Sequence, residues 1–259
     1  MHVIIIVIYL KNSILIMNNT GLGIYFSKKI LVVFFMGISS GIPLYMVLST
    51  LFIWLTRENI EISTVGLFAL TQLPWSLKFL WAPIVDKYKI PILNKILGQR
   101  KSWLLITQIC LIASLILLGF SNPNNNIYLT AFFALLTAFF SANQDIIIDA
   151  YRIELLEPNQ LGIGSGMSQY GWRIGAASTG ALVLILAGNY GWAIAYISSV
   201  IFAIPAILVG LFLGEPKRHI EPVKSKGLFK IISDYFGPLF EFIRREGAWL
   251  VLFFVLIHK

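Results

Sequence analysis

The 259 residues are 58% hydrophobic and only 12% charged, with a mean hydropathy of +0.81, whereas a soluble domain is nearer half apolar and a quarter charged. That composition excludes an ordinary soluble domain and fits a chain whose solvent is hydrocarbon. The net charge of +8 does not argue for nucleic acid, because the basic residues sit in short blocks between apolar stretches and not along one continuous face.

In chain order, residues 1–29 come first as a leader. Val3 to Leu10 is an apolar run too short to span, and it lacks the basic region and small-residue cleavage site of a signal peptide. It is expected to be either a misassigned start, with Met17 the true one, or an interfacial segment lying on the membrane. Six apolar spans follow, at 30–56, 64–85, 103–120, 127–150, 163–187 and 192–213. Each is long enough as a helix to cross a core of about 30 Å. The runs are continuously apolar and do not alternate, so the expected fold is all-α, a polytopic membrane helix bundle, not a barrel. A basic loop occupies 214–247, and 248–259 reads as the truncated start of a seventh helix. Six spans, a long basic loop and a new span form the pattern of the halfway point of a twelve-helix secondary transporter. Such a half is expected to insert but not to transport alone.

Orientation follows from Lys and Arg. One side carries Lys11, Lys28 and Lys29, then Lys87, Lys89, Lys95, Arg100 and Lys101. Arg152 and seven more Lys and Arg residues in 214–247 add to that side, against Arg57 alone on the other. The positive-inside rule then puts the N-terminus in the cytoplasm.

Four ionisable residues fall inside the spans: Lys78, Asp145, Asp149 and Arg173. Such residues are costly in lipid and are expected to face the bundle interior and find partners. Lys78 and Asp145 lie at similar depth, about 10 Å from the cytoplasmic end, and Arg173 about 15 Å in, so a shared network is expected among the three. Thr137, Ser141, Asp145 and Asp149 recur every four residues, with Arg152 three later, on one helix face. Two readings stand: the charges lock helices together at the cytoplasmic end, or Asp145 couples a proton or helps bind substrate. In the second reading, cations that keep the carboxylate ionised must move away during the cycle.

Backbone breakers point to the same region. Gly37, Gly41 and Pro43 are expected to interrupt span one, with Ser39 and Ser40 between them, and Pro74 to interrupt span two. Gly41, Pro43 and Pro74 are then expected to line a cavity, since irregular backbone at depth is tolerated there. Pro205 in span six reads equally well as a packing kink. In span five, Gly162/Gly166 and Gly171/Gly175 form two GxxxG pairs expected to serve helix packing.

Four stretches resemble the AmpG-type bacterial muropeptide permeases: Gly37-Ile-Ser-Ser-Gly-Ile-Pro43, Lys78-Phe-Leu-Trp-Ala-Pro-Ile-Val-Asp86-Lys87-Tyr88, Ser141-Ala-Asn-Gln-Asp-Ile-Ile-Ile-Asp-Ala-Tyr151 and Gly166-Met-Ser-Gln-Tyr-Gly-Trp-Arg173. These permeases form a branch of the major facilitator superfamily that also holds the acetyl-CoA transporters. The likeness runs in order from about 30 to 215. It implies proton-driven import of anhydromuropeptides across a bacterial inner membrane for cell-wall recycling. The superfamily motif Gly-x-x-x-Asp-Arg-x-Gly-Arg-Arg is matched by Asp86-Lys87 and Arg100-Lys101, with Ala82 at its first glycine and an inserted stretch at 89–97. The resemblance implies a cytoplasmic gate that includes Asp86, Lys87, Arg100 and Lys101, with Arg152 beside it.

The implied partners are the lipid bilayer, a muropeptide-like small molecule, protons, and either a separate second half or a homodimeric copy. No cofactor is expected. An intramembrane enzyme is disfavoured: there is no HExxH motif, His2, His219 and His258 lie outside the six spans, and the single Cys110 excludes a cysteine-rich metal site. The remaining alternatives are an inactive truncated remnant and a carrier of another anionic metabolite such as acetyl-CoA.

Overall fold

The computed structural model describes residues 21–212, together with 216, 237, 241, 244, 245 and 247–250. The chain divides into a unit Met1–His219 and a unit Ile220–Lys259. Most of the leader, most of the 214–247 loop and all but the first three residues of 248–259 lie outside the described residues. In the second unit, Arg245 Nη2 pairs with Glu241 Oε1 at 3.0 Å.

The described residues of the first unit are helical almost throughout. Among the described residues, five stretches are long and apolar enough to cross a membrane: α1 (Lys28–Arg57), α6 (Gln99–Phe120), α7 (Ile127–Leu155), the Pro158–Tyr190 stretch containing α8 (Leu161–Tyr190), and Trp192–Val209. The last divides into α9 (Trp192–Ser199) and α10 (Ile204–Phe212), joined by a tighter 3₁₀ turn. The second apolar run is also helical but broken. It consists of α2 (Ile62–Leu67), α3 (Leu73–Leu77) and α4 (Ala82–Lys87), with 3₁₀ turns at Phe68–Gln72 and Lys78–Leu80. Pro74 and Pro83 stand near the starts of α3 and α4, where each removes a backbone donor. Between α4 and α6 lies the short α5 (Leu93–Leu97).

Helix α1 sits at the centre, packed on α7, α8 and α10, while α6 lies along α7 and α9 bridges α6 and α8. The α1–α8 seam is built from glycine on both sides. A Cβ on Gly37 would strike Ser168 O, and one on Gly41 would strike Trp172 O; reciprocally, Gly171 meets Phe34 O and Gly175 meets Ile38 O. With lipid as solvent there is little hydrophobic drive between helices, so close backbone approach supplies the packing. The expectation that Gly41 breaks the helix is therefore corrected: the α-helix runs unbroken from Lys28 to Tyr45. Irregularity comes just after Pro43, as a π turn over Met46–Thr50. There Met46 O accepts from Leu51 N–H and, at 3.2 Å, from buried Tyr196 Oη. In span five only half of the packing expectation survives, because added Cβ atoms at Gly162 and Gly166 meet nothing within 4 Å.

Two apolar clusters fill the two ends. Met46, Leu51, Trp54, Leu115 and Tyr196 make one, where Trp54 stacks on Trp192 at 5.4 Å between centroids. Val32, Met36, Leu104, Ile147 and Tyr151 make the other, nearer the 86–102 segment.

Candidate functional site

The polar residues of α7 point in different directions. Each step of four residues turns a helix side chain by about 40°, so the 137–149 stripe winds around the helix. Thr137 is buried against α6; its hydroxyl donates to Phe133 O at 2.8 Å and lies 3.1 Å from Ser114 Oγ. Ser141, also buried, accepts from Trp75 Nε1 on α3 at 3.2 Å. Asp145 comes next, partly exposed. Its Oδ1 accepts a 2.6 Å hydrogen bond from Ser40 Oγ on α1, and its Oδ2 lies 3.8 Å from Lys78 Nζ. Asp149 has turned furthest and pairs within its own helix with Arg152 Nη2 at 3.0 Å.

This cluster depends on the broken second span. Lys78 opens the 3₁₀ turn Lys78–Leu80, and Pro74 is buried where α3 meets α7. A helix that changes pitch at these points presents Trp75 and Lys78 to α7. The expected three-way network is corrected, because Arg173 has no partner among the described residues and stands exposed on α8. Ser40 takes the place that Arg173 was expected to fill. Gln169 and Tyr170, one turn earlier on α8, are exposed as well. Lys78 and Asp149 are partly exposed, and Arg173 is exposed on a different helix.

A second cluster lies where α4, α6 and α7 end together. Arg100 Nη1 binds Asp86 Oδ1 at 2.6 Å, while Arg100 Nη2 and Nε take both oxygens of Glu154 at 2.7 and 3.1 Å. The Arg100 and Glu154 side chains are only 7% and 9% exposed. Gln99 Nε2 adds a 2.6 Å bond to Asp86 O, and Lys101 Nζ reaches Leu211 O at 3.4 Å. A fork-on-fork pairing of this kind fixes orientation as well as charge. The Lys87 side chain lies outside the described residues, and Arg152 is engaged with Asp149.

Glu154 was not anticipated, because an acid near a basic loop reads as solvated. Ser40 and Trp75 were also unassigned, since a lone hydroxyl or indole has no signature until its partner is known. Buried Gln144 and Gln108 form a further α7–α6 link, Nε2 to Oε1, at 2.6 Å. An apolar cavity of about 390 Å³, lined by Trp81, Trp103, Phe139 and Asn143 among others, lies apart from both ion-paired clusters.

A broken second span and charges held within an all-helical bundle are features that membrane carriers share. Comparison with known proteins supplies the family: residues 30–258 match the Major Facilitator Superfamily. The chain belongs to that superfamily. It is 34% identical over 244 residues to the anhydromuropeptide permease of Escherichia coli strain K12, covering 94% of this chain and 48% of that protein. It is 34% identical over 241 residues to a Haemophilus influenzae protein, covering 93% and 55%. A Rickettsia conorii protein carrying the name AmpG 4 is 34% identical over 241 residues, covering 91% and 57%. The chain thus spans about half the length of these relatives. As a facilitator-superfamily member it is a multi-pass membrane protein with an AmpG-like sequence. Asp86 and Arg100, from the two parts of the superfamily motif, are in contact, and the 89–97 stretch between them does not separate them.

Proposed function

We propose that this chain forms the first six-helix half of a proton-coupled importer of anhydromuropeptides, in a bacterial inner membrane with the N-terminus in the cytoplasm. The observation that carries the reading is Asp145, held between Ser40 on α1 and Lys78 on the second span. A carboxylate at that depth is costly unless paired. Protonation removes its charge, weakens the Lys78 contact and frees Lys78 for a substrate carboxylate. Deprotonation restores the pair and releases the anion. The Asp145 carboxylate and the substrate carboxylate thus alternate on one lysine, so that proton and anion load together and leave together, as co-import requires.

Arg173, exposed on α8, supplies a second cation for an anionic peptide, and a second six-helix unit completes the site. That unit is carried on the same polypeptide, on a separate chain or by a second copy. Rocking of one bundle against the other then opens the site to alternate sides. The Asp86–Arg100–Glu154 cluster serves as the inward gate, with Lys87, Lys101 and Arg152 around it. The substrate assignment is supported by the relative named anhydromuropeptide permease.

The test is uptake of labelled anhydromuropeptide into proteoliposomes holding the complete two-bundle assembly. Saturable uptake that unlabelled muropeptide competes away and acetyl-CoA does not is the expected result. Competition by acetyl-CoA alone would move the assignment to that class of anion.

A further inference from the structure

The loop between the second and third spans carries a surface that the transport site does not use. Tyr88, Ile92 and Ile96 are 55%, 71% and 75% exposed. Ile92 has φ +69° and ψ −63°, and Leu93 N–H donates to Pro91 O at 2.8 Å. These values define a γ-turn with positive φ at its centre, a rare and strained conformation, and a β-branched residue there is an outlier. The turn leads into α5, of which Ile92 is the N-cap residue and which carries the exposed Ile96. Lys89 and Lys95 are exposed beside them, and neither has a carboxylate partner among the described residues. The nearest acid in sequence, Asp86, is taken by Arg100.

Ile92 is disfavoured twice in water, by its strained backbone and by its exposed apolar area, and Ile96 by its exposed apolar area. The loop, however, joins the ends of two membrane-crossing segments, where hydrocarbon gives way to headgroups. Trp103 anchors it there, donating its Nε1–H to Tyr88 O at 2.8 Å. Apolar tips flanked by uncompensated lysines match the two layers of a leaflet: acyl chains for the isoleucines, anionic headgroups for the ammonium groups.

We propose that the 88–97 loop is an interfacial anchor that docks into the leaflet at its own end of the bundle. Ile92 and Ile96 enter the acyl–headgroup boundary while Lys89 and Lys95 bind anionic phospholipid. This holds whichever solute is carried and whichever way the bundle faces.

The test places the full chain in nanodiscs with both leaflets of phosphatidylcholine plus phosphatidylglycerol. Cys110→Ser is combined with Ile92→Cys or Ile96→Cys, and each thiol carries a small fluorophore. Brominated phosphatidylglycerol is expected to quench both probes about tenfold more effectively than brominated phosphatidylcholine, with aqueous iodide ineffective. Lys89→Gln with Lys95→Gln should erase that preference and leave quenching by lipid in place. Iodide quenching equal to that of a probe at Asn125 would overturn the anchor, and equal quenching by the two lipids would overturn the anionic preference. Should a labelled variant lose helix content, native mass spectrometry of the unmodified chain reads the same preference. Retained phosphatidylglycerol supports it, and retention in proportion to bulk lipid contradicts it.

Discussion

Ser40 Oγ donates a 2.6 Å hydrogen bond to Asp145 Oδ1, while Lys78 Nζ stands 3.8 Å from Oδ2. One carboxylate therefore joins the first span, the broken second span and the fourth span at a single point. Its two oxygens are unequally held. The serine bond is short and the lysine contact long, so the lysine is the partner that leaves first when the site rearranges. Ser40→Ala should cut transport several-fold, whereas Ser40→Thr, which keeps the hydroxyl, should retain most of it. The net contribution of such a charge-assisted bond is about 1.5–3 kcal/mol. Equal uptake by Ser40→Ala and wild type would remove Ser40 from the site.

Arg100 presents a different kind of contact, because both it and Glu154 are nearly excluded from solvent. Arg100→Ala leaves a buried carboxylate without its partner and should lower stability by about 3–5 kcal/mol. Asp86 is 44% exposed, so Asp86→Asn should cost about 1 kcal/mol or less. Thermal unfolding in detergent ranks the two, and similar melting temperatures would contradict the assignment of Glu154 as the principal partner.

The glycine seam separates helix packing from mere glycine content. Gly175→Leu drives a side chain into Ile38 O, while Gly166→Leu meets open space. The first should abolish stable insertion and the second should leave the isolated bundle folded. Fluorescence size-exclusion profiles of tagged variants check this, and a monodisperse Gly175→Leu peak would refute the close α1–α8 contact.

Orientation is tested by labelling. Cysteines placed at Asn125 and Lys226, with Cys110 replaced by Ser, should react with an impermeant reagent from opposite faces of the membrane. The asymmetry in Lys and Arg leads to this expectation. Reaction of Asn125→Cys from the cytoplasmic side alone reverses the topology.

Much of the bundle was legible in the apolar runs, since a continuous stretch long enough to cross lipid has few alternatives to helix. The 30–56 and 103–120 runs lie within α1 and α6, each of which extends only a few residues further. The 127–150 run was drawn too short, because α7 continues to Leu155 with Tyr151 buried and Arg152 and Glu154 both paired. Charge normally marks the end of a span, but here ion pairs carry the helix past it. The second span was drawn as one helix. Its 3₁₀ segments depend on how Trp75 and Lys78 meet α7, which hydropathy does not encode.

The site was legible in its ionisable residues and illegible in its partners. Counting along a helix gives the depth of Arg173 but not the direction it faces, so a depth within side-chain reach of Asp145 does not amount to contact. Gly41 was read as a break because it precedes Pro43; its role became visible only with Trp172 O packed against it.

The central claim is that Asp145 couples the proton gradient to substrate movement. Its most direct test is muropeptide accumulation by the complete assembly in proteoliposomes, with and without an imposed pH gradient, for wild type and Asp145→Asn. Wild type is expected to concentrate substrate only when the gradient is present. Asp145→Asn inserts, binds and at most equilibrates substrate, with gradient-driven accumulation reduced about 100-fold or more, on the order of 3 kcal/mol of lost coupling. Accumulation by Asp145→Asn at the wild-type level, still dependent on the gradient, would contradict it.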